Sequence, residues 1–294
     1  MPPSRMRHDR LVSAKGGGAD IMKRRQLLTT IAGSLVSTGI TATGVAAPAI
    51  NTRGRWNWAG RDLSGQLLKN MDLAGADLRG CRLVGTDFSG SDLRDARIDR
   101  ASIINASFDD ARMAGVSLEG ATILGSSFDH TDLTGCNAQG ATIGDCTGFW
   151  DAVLNDASFR GANFSLVHFG GATLIATDFR DVILDGLMIF GRCMMAGTEF
   201  EGMRCQPITE GPIFIMRSGI ELFGCDATRI NLKGFTGDIT CLGTSFRNAI
   251  LVGTRLDFLN ENGQPHEPLD RLPDEVFNGA IISNTWINGR LYGG

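Results

Sequence analysis

The sequence lacks the short signatures of catalytic folds. There is no GxSxG nucleophile elbow, no HExxH zinc motif, no P-loop and no GxGxxG dinucleotide fingerprint. Histidine is scarce: beyond residue 50 only His130, His168 and His266 occur. The seven cysteines include no CxxC pair or other metal-ligand spacing, which argues against a structural zinc. No cofactor, no metal and no catalysis is therefore expected. Positive charge is also short where a nucleic-acid binder would need it. Beyond residue 49 there are 21 Lys and Arg against 30 Asp and Glu, a net charge of −9. Such a surface repels phosphates, so no direct nucleic-acid binding is expected.

What the sequence does contain is a period. Between Leu63 and Ile189 a large apolar residue recurs every five positions, which fits neither helix nor ordinary strand. The series runs Leu78, Leu83, Phe88, Leu93, Ile98, Ile103, Phe108 and onward to Ile143. It resumes one residue late at Phe149 and continues to Leu184, with only Ala138 small. Two residues before each large one sits a small one, such as Ala76, Cys81, Thr86 and Ser91. A unit this short cannot enclose a core alone, so units must stack as a solenoid. Phe88, Phe108 and Phe128 lie 20 residues apart, and Phe149 and Phe169 extend the series. Four units per coil would place these rings over one another. The expected fold is all-β, a quadrilateral parallel β-helix whose coils repeat every ~4.8 Å.

The outward slot between small and large residues holds Asp77, Arg82, Asp87, Asp92 and Arg97, and glycine is frequent two residues after the large one, as at Gly75, Gly80 and Gly90. With ADLRG at 76–80, TDFSG at 86–90, SDLRD at 91–95 and GANFS around Asn163, the chain resembles the pentapeptide repeat family over roughly Met71 to Ile189. The resemblance implies a right-handed quadrilateral β-helix; the handedness comes from the family alone. Some cytoplasmic members mimic duplex DNA as acidic rods and inhibit topoisomerases, the reading that applies here if the amino-terminal segment is not an export signal.

The chain is expected to be organised in seven parts. Residues 1–21 form a polar extension ahead of a second candidate start at Met22, and 22–49 a signal peptide. Residues 50–62 form an N-terminal cap in which Trp56 and Trp58 close the lumen, and 63–205 the regular solenoid. Residues 206–259 continue it irregularly, 260–276 are a loop rich in proline and acids, and 277–294 are a terminal coil or cap. A register slip is expected after Ile189, which leaves Phe190 outside the inward slots and tolerant of truncation.

Arg24 and Arg25 precede an uncharged stretch from Gln26 to Thr52 that ends in Ala46, Ala47, Pro48, Ala49. This resembles a twin-arginine signal peptide cleaved within Ala46–Ala49, and implies a periplasmic or secreted protein. Gly33, Gly39 and Gly44 break the segment's hydrophobicity, so no stable membrane span is expected once it is removed.

On the coil geometry, Asp109 and Asp129 stack, and Asp110, His130 and Asp151 form the adjacent column. Carboxylates one coil apart repel, so this edge is either solvated or a weak site for a cation or a basic partner, and replacement by Asn should relieve the repulsion. Cys205 and Cys225 are 20 apart and would reach disulfide distance if stacked on adjacent coils. The functional expectation is an exported scaffold acting through an unidentified protein partner, with a solenoid end able to pair two copies. The competing reading, an exported β-helix enzyme acting on polysaccharide, would draw on paired carboxylates.

Overall fold

The computed structural model describes residues 49–50, 55–205, 219–223, 225–233, 235, 238–258 and 273–293. The chain divides into Met1–Ala49 and Ile50–Gly294, and the repeats all lie in the second unit. Arg24, Arg25 and the rest of the expected signal segment before Ala49 lie outside the described residues.

Each pentapeptide makes one side of a coil. Phe88 shows why. Its N–H bonds the Ser107 carbonyl of the next coil at 2.8 Å, and its own carbonyl accepts the Ser91 N–H at 3.0 Å, closing a four-residue turn. The third residue of that turn must be left-handed: Gly90 has φ 68°, and Asp110 and His130 hold the same place one and two coils on with φ 58° and 57°. The outward residue braces the turn. Asp87 accepts the Ser89 N–H at 3.1 Å, and Asp62, Asp132, Asp178 and Asn231 do the same for the residue two ahead of each. The motif's acid is thus a turn former as well as a solvated group. Arg79 and Arg94 fold back onto Asp77 and Asp92 with paired donors at 2.8 and 2.6 Å, and hold those carboxyls below their ordinary range.

The small inward slot has its own logic. At Ser91, Thr131 and Thr177 it holds a hydroxyl that donates across the corner to the large residue of the neighbouring coil. Ser91 bonds the Leu68 carbonyl at 2.6 Å, Thr131 that of Phe108 at 2.7 Å and Thr177 that of Leu154 at 2.9 Å. A buried polar side chain is thereby satisfied at no cost in volume.

Four faces result. The first is a seven-stranded parallel sheet: Arg82–Val84, Ser102–Ile104, Thr122–Leu124, Thr142–Gly144, Asn163–Phe164, Ile183–Leu184 and Arg204–Cys205. The second begins at Thr147–Gly148 and Val167–His168 and runs through Leu187–Gly191, Gly219–Phe223, Asp238–Leu242 and Arg255–Phe258 to Thr285–Ile287. The third and fourth are ladders of single bridges such as Asp92↔Arg112 and Asp77↔Arg97, and the fourth ends in a strand pair, Ile250–Val252 with Ile281–Ser283.

The rings stack as the spacing requires. Phe88, Phe108, Phe128, Phe149 and Phe169 follow one another at 4.8 to 5.0 Å between centroids. The column does not stop there. Phe190 continues it at 5.0 Å and is fully buried, so the expectation that it lies outside the inward slots is wrong. The extra residue enters at the corner before Leu187, around Gly186 at φ 126°, and puts Met188 and Phe190 inward. A second column, Phe159, Phe179 and Phe200 on the fourth face, stacks at 5.0 to 5.1 Å and meets the first edge-on across the lumen. The earlier extra residue is taken up at Asp145 and Cys146, both left-handed at φ 54° and 62°.

Beyond Cys205 the coil changes size. Phe190 pairs with Leu222, 32 residues on, and the next steps, Leu222 to Cys241 and Cys241 to Phe258, take 19 and 17. The first face carries no paired strand beyond Arg204–Cys205 among the described residues. At one end Trp56 and Trp58 fill inward slots against the next coil, with the Trp56 indole donating to the Asp72 carbonyl at 3.0 Å. At the other, Asp274–Phe277 forms a turn of helix across the boundary between the expected loop and the expected cap, and Phe277 stacks on Phe246. Arg290–Tyr292 then folds back antiparallel on Thr285–Ile287, which occupies that sheet edge.

Phe108→Ala and Phe190→Ala are each expected to cost ~3 to 5 kcal/mol of stability. Denaturant midpoints read this directly, and a Phe190 variant within ~1 kcal/mol of wild type would place that ring outside the stack.

Candidate functional site

The corner that follows the second face is where surface chemistry concentrates. Its residues climb the rod as two adjacent columns. One runs Asp109, Asp129, Trp150, Gly170, Gly191; the other runs Asp110, His130, Asp151, Gly171, Arg192. The coils are tied here by Asp110 N–H to the Asp129 carbonyl at 2.9 Å, His130 to Trp150 at 2.8 Å and Asp151 to Gly170 at 2.8 Å. The structure thus brings together all five residues of the expected acidic edge, but gives them different work.

Asp109 and Asp129 are half-buried and already employed. Asp109 accepts the Ser107 hydroxyl at 3.0 Å, the Ser127 hydroxyl and the Asp129 N–H at 3.1 Å. Asp129 in turn accepts the Trp150 N–H at 3.1 Å. Each carboxylate steadies the corner of the next coil, so neutralising these two removes charge-assisted bonds and does not simply relieve repulsion. Asp110, His130 and Asp151 point outward. His130 Nδ1 lies 3.9 Å from Asp151 Oδ2 with both side chains about 60% exposed, too open for a strong pair. Among the described residues no three His, Cys, Asp or Glu side chains converge as metal ligands.

Sequence reasoning passed over the other half of this corner. Trp150 is 52% exposed, and its ring lies across Gly170, where any Cβ would collide with it. Gly148 sits at the ring's other edge: a Cβ there would come within 3.4 Å of Trp150 Cδ1. Beyond the ring an open groove of about 620 Å³ runs along the corner past Gly191 to Phe223 and Leu242, with Asp151 and Arg192 on its rim. The signal was present in the sequence: a tryptophan directly after an inward phenylalanine, followed one and two coils on by Gly170 and Gly191 at the same corner. It was missed because a five-residue period marks what points inward, not which corner a glycine leaves bare.

The second cleft, about 400 Å³ near Arg79, Arg97 and Arg100, mixes these cations with Asp99 and Glu119. The expected pairing of Cys205 with Cys225 is corrected by the register of the faces. Cys205 stands in register with Leu184 on the first face, whereas Cys225 follows Cys193 on the third. The 32-residue coil between Phe190 and Leu222 breaks the 20-residue count on which their pairing depended.

Asp109→Ala is expected to cost ~2 kcal/mol, since it strips an acceptor from three donors. Asp110→Asn should stay within ~0.5 kcal/mol, because Asn tolerates the left-handed corner. Equal losses in chemical denaturation would show that the two columns do not differ as described.

A model of pentapeptide repeats matches the chain in eight copies, over residues 62–95, 72–110, 111–147 and 149–186. No curated protein matches. Among solved structures, the chain is similar to HetL, a pentapeptide repeat protein involved in heterocyst differentiation regulation from the cyanobacterium Nostoc sp. strain PCC 7120. The identity is 20%, covering 73% of this chain and 95% of that one, with a TM-score of 0.31. It is also similar to QnrB1, a plasmid-mediated fluoroquinolone resistance protein, at 16% identity, 78% and 90% coverage and a TM-score of 0.27. A pentapeptide repeat protein of the Arabidopsis thaliana thylakoid lumen matches at 24% identity, 58% and 68% coverage and a TM-score of 0.13.

Proposed function

We propose, from the premise that residues 62–186 are pentapeptide repeats, that the chain is an exported, non-catalytic rod that docks a partner protein along the Trp150 corner. The observation that carries this is the exposed indole laid on a glycine floor beside an apolar groove. Tryptophan is among the residue types enriched at the hot spots of protein recognition. The occupant that fits is an extended segment with an apolar side chain for the groove and a basic one for the rim. Asp151 makes one margin of the groove acidic, and Arg192 also lines it.

Two other readings have less behind them. An enzyme on polysaccharide needs carboxylates free to act as acid and nucleophile, and Asp109 and Asp129 are spent on backbone and hydroxyl donors. A DNA mimic needs an unbroken acidic stripe. Here the outward columns interleave charge, as in Asp92, Arg112, Asp132 on the third face, and Asp77, Arg97 on the fourth.

Export is tested at its address. Replacing Arg24 and Arg25 together with Lys is expected to retain the precursor in the cytoplasm, as read by fractionation; undiminished export would remove that part of the reading.

Docking is tested by selecting displayed random peptides against the rod. Winning sequences should pair a basic with an aromatic or aliphatic residue, shift tryptophan fluorescence on binding, and lose about tenfold or more in affinity against Trp150→Ala. Winners that bind this variant equally well would move the site elsewhere, and cleavage of a polysaccharide by wild type alone would favour the enzyme.

A further inference from the structure

Two thiols meet inside the rod where its repeat is most interrupted. Cys193 and Cys225 occupy the small inward slot of the third face on adjacent coils, 1% and 3% exposed. Both are thiols here. Their outward neighbours Met194 and Asp226 pair in register, and the Asp226 N–H donates to the Cys193 carbonyl at 3.0 Å. That register sets the two Cα atoms ~4.8 Å apart, inside the ~4.4 to 6.8 Å that a disulfide spans. The side chains point the same way: Cys193 Sγ donates to the Phe169 carbonyl at 2.6 Å and Cys225 Sγ to the Phe190 carbonyl at 3.1 Å, one coil on. The neighbouring Cys225 sulfur, with burial, raises the Cys193 thiol, while the neighbouring Cys193 sulfur holds Cys225 below its ordinary value.

We propose that Cys193 and Cys225 close a disulfide in an oxidising compartment, stapling together the two coils that flank the 32-residue step from Phe190 to Leu222. The inference stands apart from the docking reading and uses none of its residues.

The chemistry needs a disulfide donor. The Cys225 thiolate attacks one sulfur of the donor disulfide, the donor's S–S bond breaks, its other sulfur leaves as a thiolate, and a mixed disulfide forms. The Cys193 thiolate then attacks the Cys225 sulfur and expels the second donor thiolate. The pair gives up two protons and two electrons, and the donor's disulfide is reduced to two thiols. Because both sulfurs are buried, this happens as the coils close during folding. Other cysteines lack the geometry. Cys241 sits on the second face in register with Leu222, and Cys205 on the first with Leu184.

The test refolds the full chain in oxidised glutathione as the donor, followed by proteolysis and mass spectrometry. A peptide joining Cys193 to Cys225 is expected, together with the loss of two of the seven thiols. The melting temperature should rise by about 5 to 15 °C and fall back on reduction. Cys193→Ala and Cys225→Ala should each abolish both effects. These variants fold, because Ala152 and Ala172 fill the same slot on the preceding coils. Cys205→Ala and Cys241→Ala should leave bridge and melting shift intact. The proposal is overturned if the joined peptide is absent, if the bridge maps through Cys205 or Cys241, or if its reduction leaves the melting temperature unchanged.

Discussion

Every regular coil up to Cys205 has to turn four corners within about 20 residues, and each corner needs a residue in the left-handed region. Glycine supplies it at Gly75, Gly80, Gly85 and Gly90; Asn70, Asp95, Asn105 and Asp110 supply it elsewhere. Asp and Asn are the non-glycine types that enter this region most cheaply. The motif follows from that requirement. A small residue leaves room in the narrow lumen, an acid or amide closes the turn two residues ahead, a large residue fills the core, and the corner residue reverses the chain. Inter-coil hydrogen bonds then run along the regular coils because each corner points an N–H at the next coil and a carbonyl at the preceding one, as at Asp110 N–H and the Asp109 carbonyl. One consequence is electrostatic. Hydrogen bonds from Arg79 and Arg94 keep Asp77 and Asp92 below the usual carboxylate range. That contribution to stability is present above the unfolded value of ~3.9 and is lost as pH falls through the lower folded value.

The same constraint decides what the sequence could reveal. The five-residue period assigns each side chain to inside or outside over the regular stretch, and the first phenylalanine column could be placed from its 20-residue spacing alone. Periodicity failed at Leu187, Met188, Ile189 and Phe190, four apolar residues in succession, any of which could be inward. The choice is made at the corner, by the extra residue around Gly186, and a pattern of hydrophobicity carries no record of where a corner lengthens. The second column escaped notice because the fourth face holds Leu78, Ile98, Leu118 and then Ala138 before it; Phe159 can grow into the space that Ala138 leaves.

The site was legible only in its charges. Stacking Asp109 on Asp129 required the coil length and nothing more. That these two carboxylates would be consumed by Ser107, Ser127 and the N–H groups of Asp129 and Trp150 depends on side-chain direction, which the period does not encode. Outward slots look alike in sequence, yet they differ in whether the neighbouring coil offers a donor.

The proposed docking corner lies where the rod departs from its own rule. Regular coils present short polar side chains on flat faces, and such faces offer a partner little apolar area. The Trp150 corner differs because glycines in successive coils strip it of side chains, so that a large ring can lie flat and stay exposed. It also lies beside the coils in which the core changes from stacked phenylalanines to Leu222 and Cys241 and the first face loses its strand. The groove lined by Trp150, Phe223 and Leu242 spans these coils. The Cys193–Cys225 pair sits in the adjoining face of these same coils. A bond between the two sulfurs would fix the spacing of the coils that carry Gly191, Arg192 and Phe223, and so hold the groove's far wall at a constant distance from the indole.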